Sequence, residues 1–249
     1  MIDLKNKNII ITGASSGIGM SIAKLSSKLG ARLILIGRSE DKLNSLKDEL
    51  SNRNHITISC DITDYDNIEI KLKKSLNDFG KVDGFVHSAG IEMTRPLKLL
   101  KPKFLDEVLK VNLISGINLT RILTNRGVFN EFGGSIVYIS SVAGIAGQSG
   151  KSGYSASKAG IIAAGKSLAL EFASKKIRVN SIIPAMVETE MSKKILSSLN
   201  EEGRKKIEDS HPLGIGKPDD VAHSVIFLLS DKSRWITGSS IVVDGGFSV

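Results

Sequence analysis

One cysteine, Cys60, stands in 249 residues. That count excludes an intrachain disulfide and any metal site built on several thiolates, and a reducing compartment suits it. Prolines number five and aromatics make up 5% of the chain. There is accordingly no proline-rich linker and no aromatic ladder for stacking nucleic-acid bases. No apolar run approaches the about 18 residues of a membrane span. The opening Met1-Ile-Asp-Leu-Lys-Asn-Lys-Asn8 enters an apolar segment at once, unlike a signal peptide, and the cytoplasm is the expected compartment. His55, His211 and His223 have no partners at ligand spacing, so no metal is expected.

What is present describes an ordinary globular chain, 41% hydrophobic and 24% charged, with a net charge of +8. The basic residues are scattered through Lys71-Leu-Lys-Lys74, Lys98 to Lys110, Lys193-Lys194 and Arg204-Lys-Lys206. Each group reads as the wet side of an amphipathic helix, so nucleic acid is not expected. An acidic ligand, such as a phosphate-bearing cofactor or a carrier, would suit the charge.

Short apolar runs alternate with helical patterns along the whole chain. Strands are predicted at 9–11, 33–36, 56–59, 82–87, 136–140, 177–183 and 240–243. Helices are predicted behind the first strand and over 39–50, 64–79, 103–124, 153–173, 191–208 and 218–230. Continuous apolar strands between helices imply a parallel sheet covered on both faces, a doubly wound α/β fold of about seven strands. No break in composition divides it, so one domain over 1–249 is expected.

Two stretches carry chemistry. Thr12-Gly-Ala-Ser-Ser-Gly-Ile-Gly19 lies between the first strand and the first helix. Its glycines at 13, 17 and 19 let backbone approach a pyrophosphate, and the helix N-terminus offers free N–H groups. The spacing departs from the commoner G-x-G-x-x-G. The second stretch is Ser152-Gly-Tyr-Ser-Ala-Ser-Lys158. Four residues apart on a helix, Tyr154 and Lys158 share a face, and a nearby cation is expected to lower the phenol pKa from about 10. Alone, such a pair is usually a surface lysine over a packed ring.

With Ser141 thirteen residues before Tyr154, the chain resembles the short-chain dehydrogenase/reductases nearly end to end, to the closing Asp244-Gly-Gly246. Cys60-Asp61-Ile62, His87-Ser-Ala-Gly90, Val111-Asn-Leu113 and Val187-Glu-Thr189 fall in that family's order. The resemblance implies a single Rossmann domain, with a cofactor half over 1–135 and a catalytic half over 136–249 that includes a flap at 186–210. It implies Tyr154 as general acid, and Lys158 as the group that lowers its pKa and binds the nicotinamide ribose. It implies Ser141 on the substrate carbonyl and Asn112 holding a relay water. Ser140 adjoins Ser141, but strand alternation and the spacing to Tyr154 favour Ser141. Cofactor contacts are expected from Gly13, Ser15, Ser16, Gly17, Ile18 and Gly19, from Asp61 and Ile62, and from Ser88, Ala89 and Gly90. Tyr154, Lys158, Pro184, Val187 and Thr189 complete the set.

At the end of the second strand an acid would accept from the ribose 2′-OH; here Gly37 and Arg38 stand instead, which favours NADP(H) over NAD(H). The chain is most similar to the 3-oxoacyl-[acyl-carrier-protein] reductase branch. A carbonyl substrate on an acidic carrier is therefore expected, with Lys175, Lys176 and Arg178 helping to dock it, and Asn130-Glu-Phe132 near them. Another ketone, sugar or steroid substrate is the alternative, and a non-catalytic NADP sensor is the alternative of another class. The resemblance also implies a homotetramer, and the alanines at 156, 159, 163 and 164 suit close helix packing. Three positions depart from the family pattern: Pro184-Ala185 for Pro-Gly, His87 for asparagine, and a shortened 212–218 segment.

Overall fold

The computed structural model describes residues 2–51, 54–197 and 199–249. Its strands are β1 (Asn8–Thr12), β2 (Arg32–Gly37), β3 (Ile56–Ser59), β4 (Gly84–His87), β5 (Gly134–Ile139), β6 (Ile177–Pro184) and β7 (Ser240–Val243). They form one sheet in the order β3-β2-β1-β4-β5-β6-β7, and every pairing is parallel. The helices are α1 (Gly17–Lys28), α2 (Glu40–Glu49), α3 (Tyr65–Phe79), α4 (Pro102–Leu109), α5 (Ser115–Leu123), α6 (Ser152–Phe172), α7 (Glu190–Ser197), α8 (Glu201–Asp209) and α9 (Pro218–Leu229). The expected seven-stranded, doubly wound fold is the one observed.

The apolar runs explain the layering. Successive strand residues point to opposite faces, so Ile9, Ile11, Leu33 and Leu35 pack under α1, α2 and α9. Their neighbours Ile10, Ile34 and Ile36 enter the second core, beneath α3, α5 and α6. All seven side chains are fully buried, each stabilising the fold by roughly 1.5–3 kcal/mol. Helix starts follow local chemistry. Ser39, Asp64 and Asn200 accept from the backbone N–H three residues on, and Pro102 and Pro218 occupy first-turn positions.

Two expected helices are interrupted. The predicted 103–124 helix breaks into α4 and α5 around a single wide π turn, Lys110–Ile114. Asn112 in that turn bonds to the Ile91 backbone, and the Ser115 hydroxyl donates to the Val111 carbonyl at 2.6 Å. The predicted 191–208 helix is two helices. The second starts where Asn200 accepts from the Gly203 N–H at 2.9 Å; position 198 lies outside the described residues.

Candidate active site

The order of β1 and β4 reverses the chain's direction of travel across the sheet, which opens a crevice at their carboxyl ends. A cavity of about 430 Å³ occupies it, bounded by the glycine turn, the ends of β4, β5 and β6, the first turns of α6, and segment 184–211. Gly13, Ser16, Gly17, Ile18 and Gly19 line one end, with Ser88, Ala89 and Gly90 beside them. The turn is tight enough to demand glycine. A Cβ on Gly19 would stand 2.2 Å from the Gly13 carbonyl oxygen, and one on Gly13, at φ +67°, would stand 2.8 Å from the Ala89 backbone. Ser16 caps α1 without a side-chain hydrogen bond, and no acidic residue lies in the first turn. The amides at that helix end are thus free to meet an anion, which fits the pyrophosphate of a dinucleotide.

Ser141, Tyr154 and Lys158 line the same cavity. Ser141 follows β5, and its Oγ accepts from the Ala143 N–H at 3.2 Å, which fixes the hydroxyl at the start of a short helical turn. Ser140 is turned the other way and donates to the Lys158 carbonyl at 2.8 Å, strapping β5 to α6. Tyr154 and Lys158 share a face of α6, with Nζ 5.7 Å from the phenol ring centroid. Lys158 is buried, and its ammonium donates to the Ile139 carbonyl at 2.9 Å.

The titration of this pair differs from the sequence expectation. Burial pushes the Tyr154 phenol up to about 12, its hydrogen bond with Ser141 opposes that, and the Glu92 carboxylate adds to the rise. Desolvation of the phenolate is the largest cause, and burial likewise holds the neighbouring Lys158 down, to about 8.

Asn112 stands behind the cavity wall. Its Oδ1 accepts from the Ile91 N–H at 2.8 Å, and its Nδ2 donates to the Ile91 carbonyl at 2.9 Å and to Ser157 Oγ at 3.0 Å. Both amide hydrogens are committed, so the Asn112 side chain has no donor left for a water. His87 is a packed residue, 1% exposed, with Nδ1 3.0 Å from Thr12 Oγ1 and its pKa lowered by burial to about 3. Its ring takes the space a side chain at Gly116 would need.

The remaining predicted cofactor residues divide. Pro184, Val187 and Thr189 line the cavity, whereas Ser15, Arg38, Asp61 and Ile62 stand outside it. Ile62 belongs to the core. Asp61 is exposed and accepts from the Thr63 N–H and hydroxyl, which hold its carboxyl low, with a smaller contribution from Arg38. Arg38 is exposed at the end of β2, and Ser15 Oγ lies 3.1 Å from where a Gly37 Cβ would sit. Ala185 is accommodated among Val142, Ile162 and Ile183.

One expectation is corrected. Lys175, Lys176 and Arg178 precede or begin β6, so they lie at the opposite pole of the sheet from the cavity. There Lys176, Arg178, Asn130 and Phe132 line a separate groove, and Arg178 donates to the Leu228 carbonyl at 2.7 Å. Within one chain these cations cannot meet a carrier at the cavity mouth.

Sequence reasoning missed several wall residues. His211 accepts the Met186 N–H at Nε2 and packs on Phe247, tying the end of α8 to the turn after β6. Glu190 lines the cavity and pairs with Lys42 of α2 at 3.1 Å. Glu92 pairs with Lys151 beside Tyr154 at 3.5 Å. No spacing rule links such distant positions. Among the described residues, no group of three or more His, Cys, Asp or Glu is arranged to hold a metal, and no helix is long and apolar enough to cross a membrane.

Residues 13–248 match the family described as enoyl-(acyl carrier protein) reductase. The chain is 39% identical to 3-oxoacyl-[acyl-carrier-protein] reductase FabG of Rickettsia conorii, over 99% of this chain and 98% of that one. It is 36% identical to the FabG of Thermotoga maritima, over 99% of both. The chain belongs to the short-chain dehydrogenase/reductases. A dehydrogenase/reductase from Sinorhizobium meliloti shares its fold at a TM-score of 0.90, with 27% identity over 100% of this chain and 97% of that one. The protein is therefore an oxidoreductase acting on carbonyl and hydroxyl carbons with a nicotinamide cofactor.

Proposed function

We propose that this enzyme reduces a 3-oxoacyl thioester, carried on an acyl carrier protein, to the 3-hydroxyacyl form with NADPH. The observation that carries the reading is one cavity wall. A half-buried phenol beside Ser141 stands near a buried ammonium, in the crevice that a glycine turn suited to pyrophosphate also lines. The names of the relatives supply the substrate class.

When bound, the nicotinamide supplies the hydride. The chain's part is to hold the carbonyl and deliver a proton. The Ser141 hydroxyl donates to the carbonyl oxygen and stabilises the charge that develops there. Tyr154 gives that oxygen its proton. With its pKa near 12 the phenol is protonated at neutral pH, the form that reduction needs. Lys158 stabilises the resulting phenolate and holds the ribose hydroxyls. Asn112 is a positioning residue: through Ile91 and Ser157 it fixes the turn after β4 against α6. Gly13 to Gly19, Ser88 to Gly90, Pro184, Val187 and Thr189 hold the dinucleotide. Ser15 and Arg38 receive the 2′-phosphate, and Asp61 and Ile62 flank the adenine.

Met186, Met191, Ile195 and Ile207 bring an apolar, adaptable lining from segment 186–210, which suits an acyl chain and a covering flap. A homo-oligomer is the expected assembly. Ala156, Ala159 and Ala163 expose a small-residue face on α6, and Leu170 and Trp235 are 82% and 92% exposed. Sedimentation equilibrium at the monomer mass would refute it.

The test is NADPH oxidation with an acetoacetyl thioester, beside plain ketones and keto-sugars. Tyr154→Phe should lower turnover by about a thousandfold or more, with NADPH binding nearly unchanged. Turnover of another carbonyl alone would refute the thioester assignment. A wild type silent on every carbonyl while binding NADPH would favour a sensor.

A further inference from the structure

The substrate end of the cavity holds one ion pair that the proposed mechanism does not use. Glu92 follows the turn after β4, and Lys151 precedes α6. Their side chains are 15% and 21% exposed, with Nζ 3.5 Å from Oε1. Lys151 Nζ is also 5.9 Å from the Tyr154 ring centroid. The Thr94 hydroxyl donates to Glu92 Oε1 at 2.6 Å, and the Arg95 N–H donates to the Gly150 carbonyl at 2.7 Å, so the two loops are tied together. Glu92, Lys151, Ser141 and Tyr154 all line one cavity. Both of these contacts fall on Oε1, and Oε2 takes neither.

Lys151 is the only cation in the loop between Ser141 and Tyr154. Without Glu92 it would present a positive charge beside the reacting carbonyl and attract a free carboxylate. With Glu92 in place the pair is neutral as a unit. An anionic 3-oxo acid entering here would lose part of its hydration, find Lys151 already paired and face the Glu92 carboxylate. A thioester, neutral around its carbonyl, pays no such penalty, and its arm carries amide N–H groups that Oε2 can accept.

We infer that Glu92, by neutralising Lys151 at the substrate end of the cavity, is a specificity-determining residue that selects neutral acyl thioesters over free 3-oxo acids. This rests on the reductase reading above and names how its site discriminates by substrate charge.

The test compares kcat/KM for acetoacetate, the free anion, with kcat/KM for its N-acetylcysteamine thioester, with NADPH, in wild type, Glu92→Gln and Lys151→Met. Glu92→Gln leaves the Lys151 ammonium unpaired and should raise the acetoacetate-to-thioester ratio. Lys151→Met leaves the Glu92 carboxylate unpaired and should lower that ratio. A unit charge about 6 Å away at an effective dielectric of about 20 gives on the order of a hundredfold, which solvent in the open cavity reduces to about tenfold. Using the ratio cancels any common change in Tyr154 acidity or cofactor affinity, and the two variants must move it in opposite directions.

If the pair merely ties the loops together, both variants lower both reactions alike and the ratio stays at its wild-type value. That result, with an active wild type, overturns the inference and leaves the reductase reading standing. A wild type that reduces no thioester overturns the reading and the inference with it. If Glu92→Gln does not fold, a Lys151→Met ratio that rises or stays unchanged still overturns the inference.

Discussion

Replacing Lys158 with methionine should stabilise the cofactor-free protein at pH 7 while removing its activity. The ammonium is 5% exposed, and its hydrogen-bond partner is the Ile139 carbonyl at 2.9 Å. Among the described residues no carboxylate forms an ion pair with it. Burial lowers its pKa from 10.5 to about 8. At about 1.4 kcal/mol per tenfold, holding the charge at pH 7 costs about 3 kcal/mol. Methionine keeps the straight chain and its packing but loses the bond to Ile139, which returns about 1 kcal/mol. The net gain is about 2 kcal/mol, or roughly 4–8 °C in Tm for a chain of this size.

The pH dependence separates this cause from simple repacking. Between pH 8 and 10.5 the unfolded wild type keeps the lysine proton that the folded protein has lost. Wild-type stability therefore gains a contribution as pH rises across that window. The advantage of Lys158→Met should shrink over the same interval and be gone by its upper end. Urea denaturation at pH 7, 9 and 10.5, without nucleotide, reads this directly. A variant less stable than wild type at pH 7, with a difference that does not change with pH, would refute the strained ammonium.

Two further outcomes are expected. Arg38→Ser should raise the KM for NADPH about tenfold, the worth of a charge-assisted hydrogen bond, and leave NADH unaffected; equal loss with both cofactors would remove Arg38 from the 2′-phosphate. His55 is held at about 4 and His87 at about 3, each chiefly by burial. Both are neutral when folded, whereas the unfolded chain protonates them near 6.5, so stability should fall as pH drops from 6.5 toward 4. In urea denaturation His55→Gln should lose about half of that slope, and an unchanged slope would show that His55 does not carry it.

The layout of the sheet was legible because each central strand is apolar on both faces. A run such as Ile9-Ile-Ile11 has no stable place except between two helical layers. The glycine turn and the Tyr154–Lys158 pair were legible for the same reason: their spacing is local, and one turn of backbone fixes it. The π turn was not, because no proline stands within 103–124 to break a helix. Its cause is the Ile91 backbone, distant in sequence, which takes the Asn112 amide on both sides. The raised phenol of Tyr154 was hidden likewise, since spacing reports a cation nearby but not the burial of the phenol itself.

The misplaced docking cations are a different matter, because the rule that corrects them was already available. In a parallel sheet every strand runs the same way, so residues entering a strand and residues leaving one lie at opposite poles. Ser141 leaves β5 and Pro184 ends β6, while Lys175 and Lys176 precede β6. The direction that puts Ser141 at the cavity therefore sends those lysines to the far side of the sheet. A carrier that meets the Ser141 end of this chain must be read by groups after the strands. Those groups belong to the turns behind β4, β5 and β6, where Glu92, Lys151 and the 186–211 segment stand.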